Sequence, residues 1–310
     1  MDALTLSVAM PNYNHAKYLP QAIEGILQQT RPPDEFLILD DASTDNSVDV
    51  IQSYADQHSC IRFVKNDQNQ GVIAAHERLY RMSTGDYLYS AAADDDRLPE
   101  FFETAMEMVQ RYPQAGLVFG DMRMVDGQGN DLGRIAASRW NESLYASPER
   151  YLREFLEVEP AGQAATAATI FKRSAFEEVG WCRPELGSFA DTLATRAVAL
   201  KCGVCYVPET FCVWRRLPES HSHATSRRAH EAIDMIARAA VLMRSSEFRD
   251  RFPTDYVRRW KRRQKWQTIW NRLLGDPLAD PRHRPSFPVR NFRRLTRLPY
   301  CLVLLLYRGR

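Results

Sequence analysis

Three consecutive carboxylates, Asp94, Asp95 and Asp96, close a short apolar run in Tyr87-Leu-Tyr-Ser-Ala-Ala-Ala-Asp-Asp-Asp-Arg-Leu-Pro99. Adjacent acids repel one another unless a cation or water relieves them. The triplet therefore suits either a divalent-metal site or a solvated turn capping the next helix. Other polar groups stand at comparable places. Asn12 and Tyr13 follow the alternation that starts at Leu4, Asp40 and Asp41 follow Phe36-Leu-Ile-Leu39, and Asn69-Gln-Gly71 follows Ile61–Val64. Further along, Asp191 lies in Leu186–Arg196, which reads as helical, where a carboxylate can accept a proton from a nucleophile or simply favour the helix dipole. His221 and His223, in Ser-His-Ser-His, are candidates to approach a metal or a diphosphate, or residues of a solvated loop.

The elements that must position these groups alternate. Leu4, Leu6, Val8 and Met10 read as a first strand, and Ala22, Ile23, Ile26 and Leu27 as one face of a helix that begins near Pro20. Phe36–Leu39 is continuous and apolar, as in a strand buried on both faces of a parallel sheet. A helix through Val48, Ile51 and Tyr54, a strand over Ile61–Val64, a helix over Val72–Met82 and a strand from Tyr87 follow. Four strand–helix alternations with short connections predict a doubly wound α/β sheet. Its carboxyl edge then carries all four polar clusters, where such sheets hold ligands. Neither a Gly-x-Gly-x-x-Gly after the first strand nor a P-loop is present, which disfavours a dinucleotide or P-loop fold. Beyond residue 116, Gly116–Asp121, Thr166–Phe171 and Tyr206–Arg216 read as strands. Ser147-Pro148-Glu149 starts a helix, and Ser174 with Glu177 predicts a capping box.

The chain of 310 residues has ordinary globular composition and a net charge of only +2. That balance hides an asymmetry: residues 251–310 hold 16 Lys and Arg against 3 Asp, leaving 25 basic and 36 acidic residues in the first 250. The N-terminus shows no secretory pattern, and the longest apolar run, Leu298–Tyr307, is about half of a membrane span. Cys202 and Cys205 form a lone Cys-x-x-Cys with no second pair, so the six cysteines read as structural thiols in a reducing cytoplasm.

Val8-Ala-Met-Pro-Asn-Tyr-Asn14, Leu39-Asp-Asp-Ala-Ser-Thr-Asp45, Asn69-Gln-Gly71 and Ala93-Asp-Asp-Asp-Arg-Leu-Pro99 resemble, in order and spacing, the motifs of family 2 glycosyltransferases with the GT-A fold. The resemblance covers roughly residues 5–215. It implies a nucleoside-diphosphate sugar donor (a UDP-sugar favoured), Mg²⁺ or Mn²⁺, and inversion at the anomeric carbon. Carried across by position, Pro11, Asn12 and Tyr13 would lie at the nucleobase, with Asp41 bonding its edge. Asn69, Gly71 and Asp95 would line the nucleotide cleft. Asp94 would be the metal-bridging acid, with Asp96 and His223 as further metal candidates. Asp191 falls where the family places its general base. Three departures stand out: Ala92 replaces the first acid of the family's Asp-x-Asp, Ala190 replaces the Glu before the base, and His76-Glu77 replaces an Arg-Asn.

These readings predict a nucleotide-sugar half over residues 1–115, an acceptor half over 116–225 and a helical basic extension over 226–310. The expected partner is a glycan or lipid-linked acceptor, in surface-polysaccharide or glycolipid assembly on the cytoplasmic membrane face. The alternative is a catalytically impaired nucleotide-binding scaffold on the same fold. In the extension, Tyr256-Val-Arg-Arg-Trp-Lys-Arg-Arg-Gln-Lys-Trp interleaves aromatics with cations. It reads as a surface for anionic lipid or as a helix packed on the core. No nucleic-acid motif is present.

Overall fold

The computed structural model describes residues 3–158, 166–217 and 229–274. His221, His223 and the apolar terminus lie outside the described residues. A continuous ten-stranded sheet organises the chain. Its first half is β1 (Leu6–Asn12), α1 (Leu19–Leu27), β2 (Glu35–Asp40), α2 (Ser47–Gln57), β3 (Ile61–Lys65), α3 (Val72–Met82) and β4 (Tyr87–Ser90). These four strands run parallel in the order β3-β2-β1-β4. Alternate side chains bury on opposite faces, as the continuous apolar runs require. Leu6, Val8, Met10, Phe36 and Ile38 pack with α1, α2 and the later helix Phe101–Arg111, whereas Ala9, Leu37 and Leu39 pack with α3 and the later helix Ala190–Cys202 on the other face.

After β4 the chain makes a two-residue strand, β5 (Asp96–Arg97), before α4 (Phe101–Arg111). The sequence pattern runs straight from the acids into the helix and misses this strand, which is visible only through its antiparallel partner. The second half adds β6 (Leu117–Val125), β7 (Asp131–Ile135), β8 (Leu144–Ala146), α5 (Pro148–Tyr151, extended by a π-helical turn over Leu152–Leu156), β9 (Thr169–Lys172), α6 (Arg173–Glu178), α7 (Ala190–Cys202) and β10 (Val204–Arg215). Strand β9 lies antiparallel between β4 and β6, and β10 is parallel to β6 and antiparallel to β5. The sheet is thus parallel on the first side and mixed on the second.

Three local expectations change. The capping box at Ser174 does not form, because β9 runs on to Lys172 and α6 starts at Arg173 with no side-chain cap. The helix expected from Leu186 begins at Ala190. The chain first makes a 3₁₀ segment, Pro184–Phe189, that is broken at Gly187 (φ 52°, ψ −129°). The third concerns the extension, built of α8 (Ala229–Leu242) and α9 (Thr254–Leu274). Tyr256, Val257, Trp260 and Trp266 are buried against the protein, so these aromatics are not presented to a bilayer. Arg258, Arg259 and Arg262 stay exposed on the outer face. No helix among the described residues is long and apolar enough to cross a membrane. The five described cysteines are all free.

Candidate active site

The acid turn after β4 is fastened by buried arginines, Arg97 foremost. Arg97 donates from Nε to the Tyr89 hydroxyl (3.0 Å), from Nη1 to the Asp95 carbonyl (2.7 Å) and from Nη2 to the Ala92 carbonyl (2.7 Å). The Tyr89 hydroxyl in turn donates to the Ala167 carbonyl at 2.8 Å. The planar guanidinium fork fixes three acceptors from three separate nitrogens in one plane, a geometry that a lysine's single rotating ammonium does not reproduce.

The three carboxylates are then not equivalent. Asp96 turns toward α1, accepting from Gln21 Nε2 (3.0 Å) and from the Arg97 amide (2.8 Å). It comes so close that a Cβ on Gly25 would lie 2.6 Å from Oδ1. Asp95 is buried and accepts the Arg215 amide at 2.8 Å. Burial first, and then the neighbouring Asp94 charge, push its pKa up to about 7, against the pull of Arg97 and Arg215. Asp94 is half-buried. Its carbonyl accepts Arg215 Nε (3.1 Å), and no described residue donates to its carboxylate.

No group of three or more His, Cys, Asp or Glu among the described residues could hold a metal. A Mg²⁺ or Mn²⁺ site usually takes one or two protein carboxylates, the remaining ligands being water and phosphate oxygens. Asp94, unpartnered and repelled by the buried Asp95, fits that donor set. Asp96, engaged with α1, does not add to it.

At the next two strand ends the sequence candidates bind one another. Asn12 Nδ2 donates to Asp40 Oδ1 (2.8 Å) and Ser43 Oγ (3.1 Å), and its buried Oδ1 has no partner among the described residues. Pro11 is buried within β1, and Tyr13 is 44% exposed beside it. Asp41, 2% exposed, accepts Asn66 Nδ2 (2.7 Å) and the amides of Gln70 (2.9 Å) and Gly71 (2.8 Å). Its carboxylate thereby holds the loop that carries Asn69 and Gly71. Gly71 takes φ +87°, a left-handed conformation that favours glycine, and its amide also reaches Asn69 Oδ1 at 3.0 Å.

A cavity of about 210 Å³ opens beside the acid turn, between the first half of α3, the end of β4 and the start of α7. Ala92, Ala190 and Asp191 all line it. Asp191 is held in the first turn of α7, accepting Thr166 Oγ1 (2.9 Å) and the Thr192 amide (2.6 Å). The structure therefore brings together the acid turn, the alanines that depart from the family pattern and the expected base. Sequence reasoning missed the polar end of this cavity. There Tyr80 OH lies 2.8 Å from Ser90 Oγ, and both lie within 3.3 Å of His76 Nδ1. His76 and Tyr80 are four residues apart on α3 and share a face, a spacing that could have flagged them. Burial raises the Tyr80 phenol well above its ordinary value and raises the Cys182 thiol beside it.

The model of glycosyl transferase family 2 matches residues 7–180. The chain belongs to glycosyltransferase family 2. It is 29% identical to the chondroitin synthase of Escherichia coli over 141 residues, covering 46% of this chain and 20% of that protein. The chain matches between 20% and 61% of the length of the first curated relatives. Among solved structures, Staphylococcus aureus TarS in complex with UDP-GlcNAc superposes with a TM-score of 0.65 at 15% identity, over 94% of this chain and 78% of that one. A Pyrobaculum calidifontis mannosyltransferase in complex with GDP-Man and Mn²⁺ gives 0.62 at 18% identity, over 95% and 80%. The fold of this family 2 member is accordingly GT-A.

Proposed function

We propose that the protein transfers a sugar, with inversion, from a nucleoside-diphosphate donor to an acceptor hydroxyl. The observation that carries the reading is the position of Asp191, held by Thr166 on the wall of a cavity whose other side is the turn leading into Asp94. The acceptor oxygen attacks the anomeric carbon as the bond to the diphosphate breaks. The hydroxyl proton passes to the Asp191 carboxylate, and the nucleoside diphosphate leaves with the bonding electrons. A divalent cation, Mg²⁺ or Mn²⁺, held by Asp94 with support from Asp95, would offset the charge developing on that diphosphate. Tyr13 supplies an exposed ring for the nucleobase. Asn12, with its orphaned Oδ1, and the Asp41-bound loop shape the nucleotide cleft.

Neighbours bearing UDP-GlcNAc or GDP-Man support a nucleotide-sugar donor, and the chondroitin synthase supports a glycan acceptor; a UDP-sugar donor and a lipid-linked acceptor remain part of the proposal. The setting is assembly of a surface polysaccharide or glycolipid at the cytoplasmic membrane face. The exposed cations of α9 are the part of the described extension that supports lipid contact. A second reading, a nucleotide-binding scaffold, draws on Ala92 and Ala190, which leave two cavity positions without acids. Calorimetry against UDP-, GDP- and dTDP-sugars with Mg²⁺ or Mn²⁺, followed by donor-hydrolysis assays, separates the two. Binding with turnover supports the enzyme, binding without turnover supports the scaffold, and no binding of any nucleotide refutes both.

A further inference from the structure

A group of buried hydrogen-bond donors lies along the helix that carries Asp191, at its contact with α9. Arg196 is 4% exposed, and its guanidinium makes no hydrogen bond or ion pair with any described residue. Its Cζ stands 5.8 Å from the centre of the Trp260 ring. Trp260 is 1% exposed with no acceptor for Nε1 among the described residues, and one turn earlier Tyr256 is 2% exposed with no partner there for its hydroxyl. Arg263 adds a second, partly buried guanidinium, anchored through Nη2 on the Leu156 carbonyl at 3.3 Å. The neighbouring acid, Glu157, is already paired with Arg259.

Buried donors in folded proteins nearly always find an acceptor, and a buried charge without a counter-charge costs several kcal/mol. Stacking on Trp260 offsets part of that cost but supplies no counter-charge. The chemistry of the missing partner is constrained by what surrounds it. Arg196 and Trp260 can only donate, so a cation is repelled and an apolar group leaves every donor orphaned. A tetrahedral oxyanion supplies both the charge and enough acceptor oxygens for a guanidinium edge, an indole N–H and a phenol. We infer that the α7–α9 interface binds a phosphate-class oxyanion through Arg196, Trp260 Nε1 and Tyr256 OH. This site stands apart from the acid turn and does not depend on the transfer reaction. Free phosphate and the phosphate of a lipid headgroup share this chemistry, and the outer face of α9, with Arg258, Arg259 and Arg262, gives either one an attractive approach.

The test is thermal melting of the full chain in rising inorganic phosphate, with chloride holding ionic strength constant. In a second arm, phosphatidylglycerol vesicles replace phosphate, with phosphatidylcholine vesicles as control. Wild-type protein gains melting temperature in at least one arm, as ligand binding to the folded state requires. Arg196→Met melts higher than wild type in chloride alone, because the unpaired charge is gone, and no longer responds in that arm. Trp260→Phe keeps the ring and its packing but loses the N–H, and it needs roughly tenfold more ligand for the same shift, the weight of one charge-assisted hydrogen bond. A response to phosphate assigns the free ion, and a response to vesicles alone assigns the headgroup. The inference is overturned if wild type responds in neither arm, or if Arg196→Met responds as wild type does. A purely structural arginine gives the opposite sign in chloride, a lower melting temperature for Arg196→Met.

Discussion

Replacing Asp41 with alanine should loosen the proposed nucleotide cleft and destabilise the whole fold, by an amount that follows from its contacts. Its buried carboxylate accepts from Asn66 Nδ2, Gln70 N and Gly71 N, and among the described residues no other group reaches those donors except Asn69 Oδ1 at Gly71. Hydrogen bonds to a charged acceptor contribute about 1.5–3 kcal/mol each. The loop amides at Gln70 and Gly71 can be partly rehydrated, whereas Asn66 is 3% exposed and cannot. A net loss of about 3–5 kcal/mol follows, which for a domain of this size lowers the melting temperature by roughly 6–15 °C. Asp41→Asn keeps one acceptor oxygen and should lose about half as much. Paired thermal melts and nucleotide titrations give the readout. Both stability and nucleotide affinity should fall together in Asp41→Ala. A melting shift within 2 °C of wild type, about 1 kcal/mol or less, would refute the reasoning that this carboxylate holds the loop.

Arg97→Lys keeps the charge but loses the fork that fixes the Ala92 and Asp95 carbonyls, so metal-dependent nucleotide binding should weaken at least tenfold, as read by calorimetry. Metal-free protein should show a pH-dependent penalty at Asp95. Its pKa is about 7 when folded against 3.8 for the free group, so the folded state holds the extra proton between those values and stability falls as pH rises from about 4 to about 7. Asp95→Asn should lack that slope and outlast wild type at pH 8 in melts without metal; equal slopes would contradict the burial argument. Gly203→Ala should cost at least about 3 kcal/mol in denaturant melts, since φ is +75° and a Cβ would lie 2.5 Å from the Ala146 carbonyl oxygen.

The parallel half of the fold is legible in the sequence because its strands are continuous apolar runs, and each ends in polar residues on one edge. Asp94 and Asp41 stand out for the same reason, whereas Asp191, in the first turn of α7, stands out only by its place in the family pattern. Less legible was what those residues bind. Asp96 reads like its neighbours, yet a glycine at position 25 lets it close onto α1. Asp41 reads as a ligand-facing acid, yet its oxygens meet Asn66 and two amides 25 to 30 residues away. The polar cluster of His76, Tyr80 and Ser90 is assembled across α3 and β4 and has no local pattern. In α9 the cations at 259 and 263 obscure the buried stripe of Tyr256, Val257, Trp260 and Gln264. Long stems let an arginine sit beside a buried face with its head in water, which blurs a helical projection.

The most direct test of the account is transfer by Asp191→Ala, measured in single turnover with a donor that wild type uses, alongside calorimetric binding of the same donor with Mg²⁺ or Mn²⁺. Donor affinity should stay within about twofold of wild type while the transfer rate falls by about 10²–10⁴, the usual contribution of a positioned base. Transfer at the wild-type rate would contradict the role of Asp191 as the base.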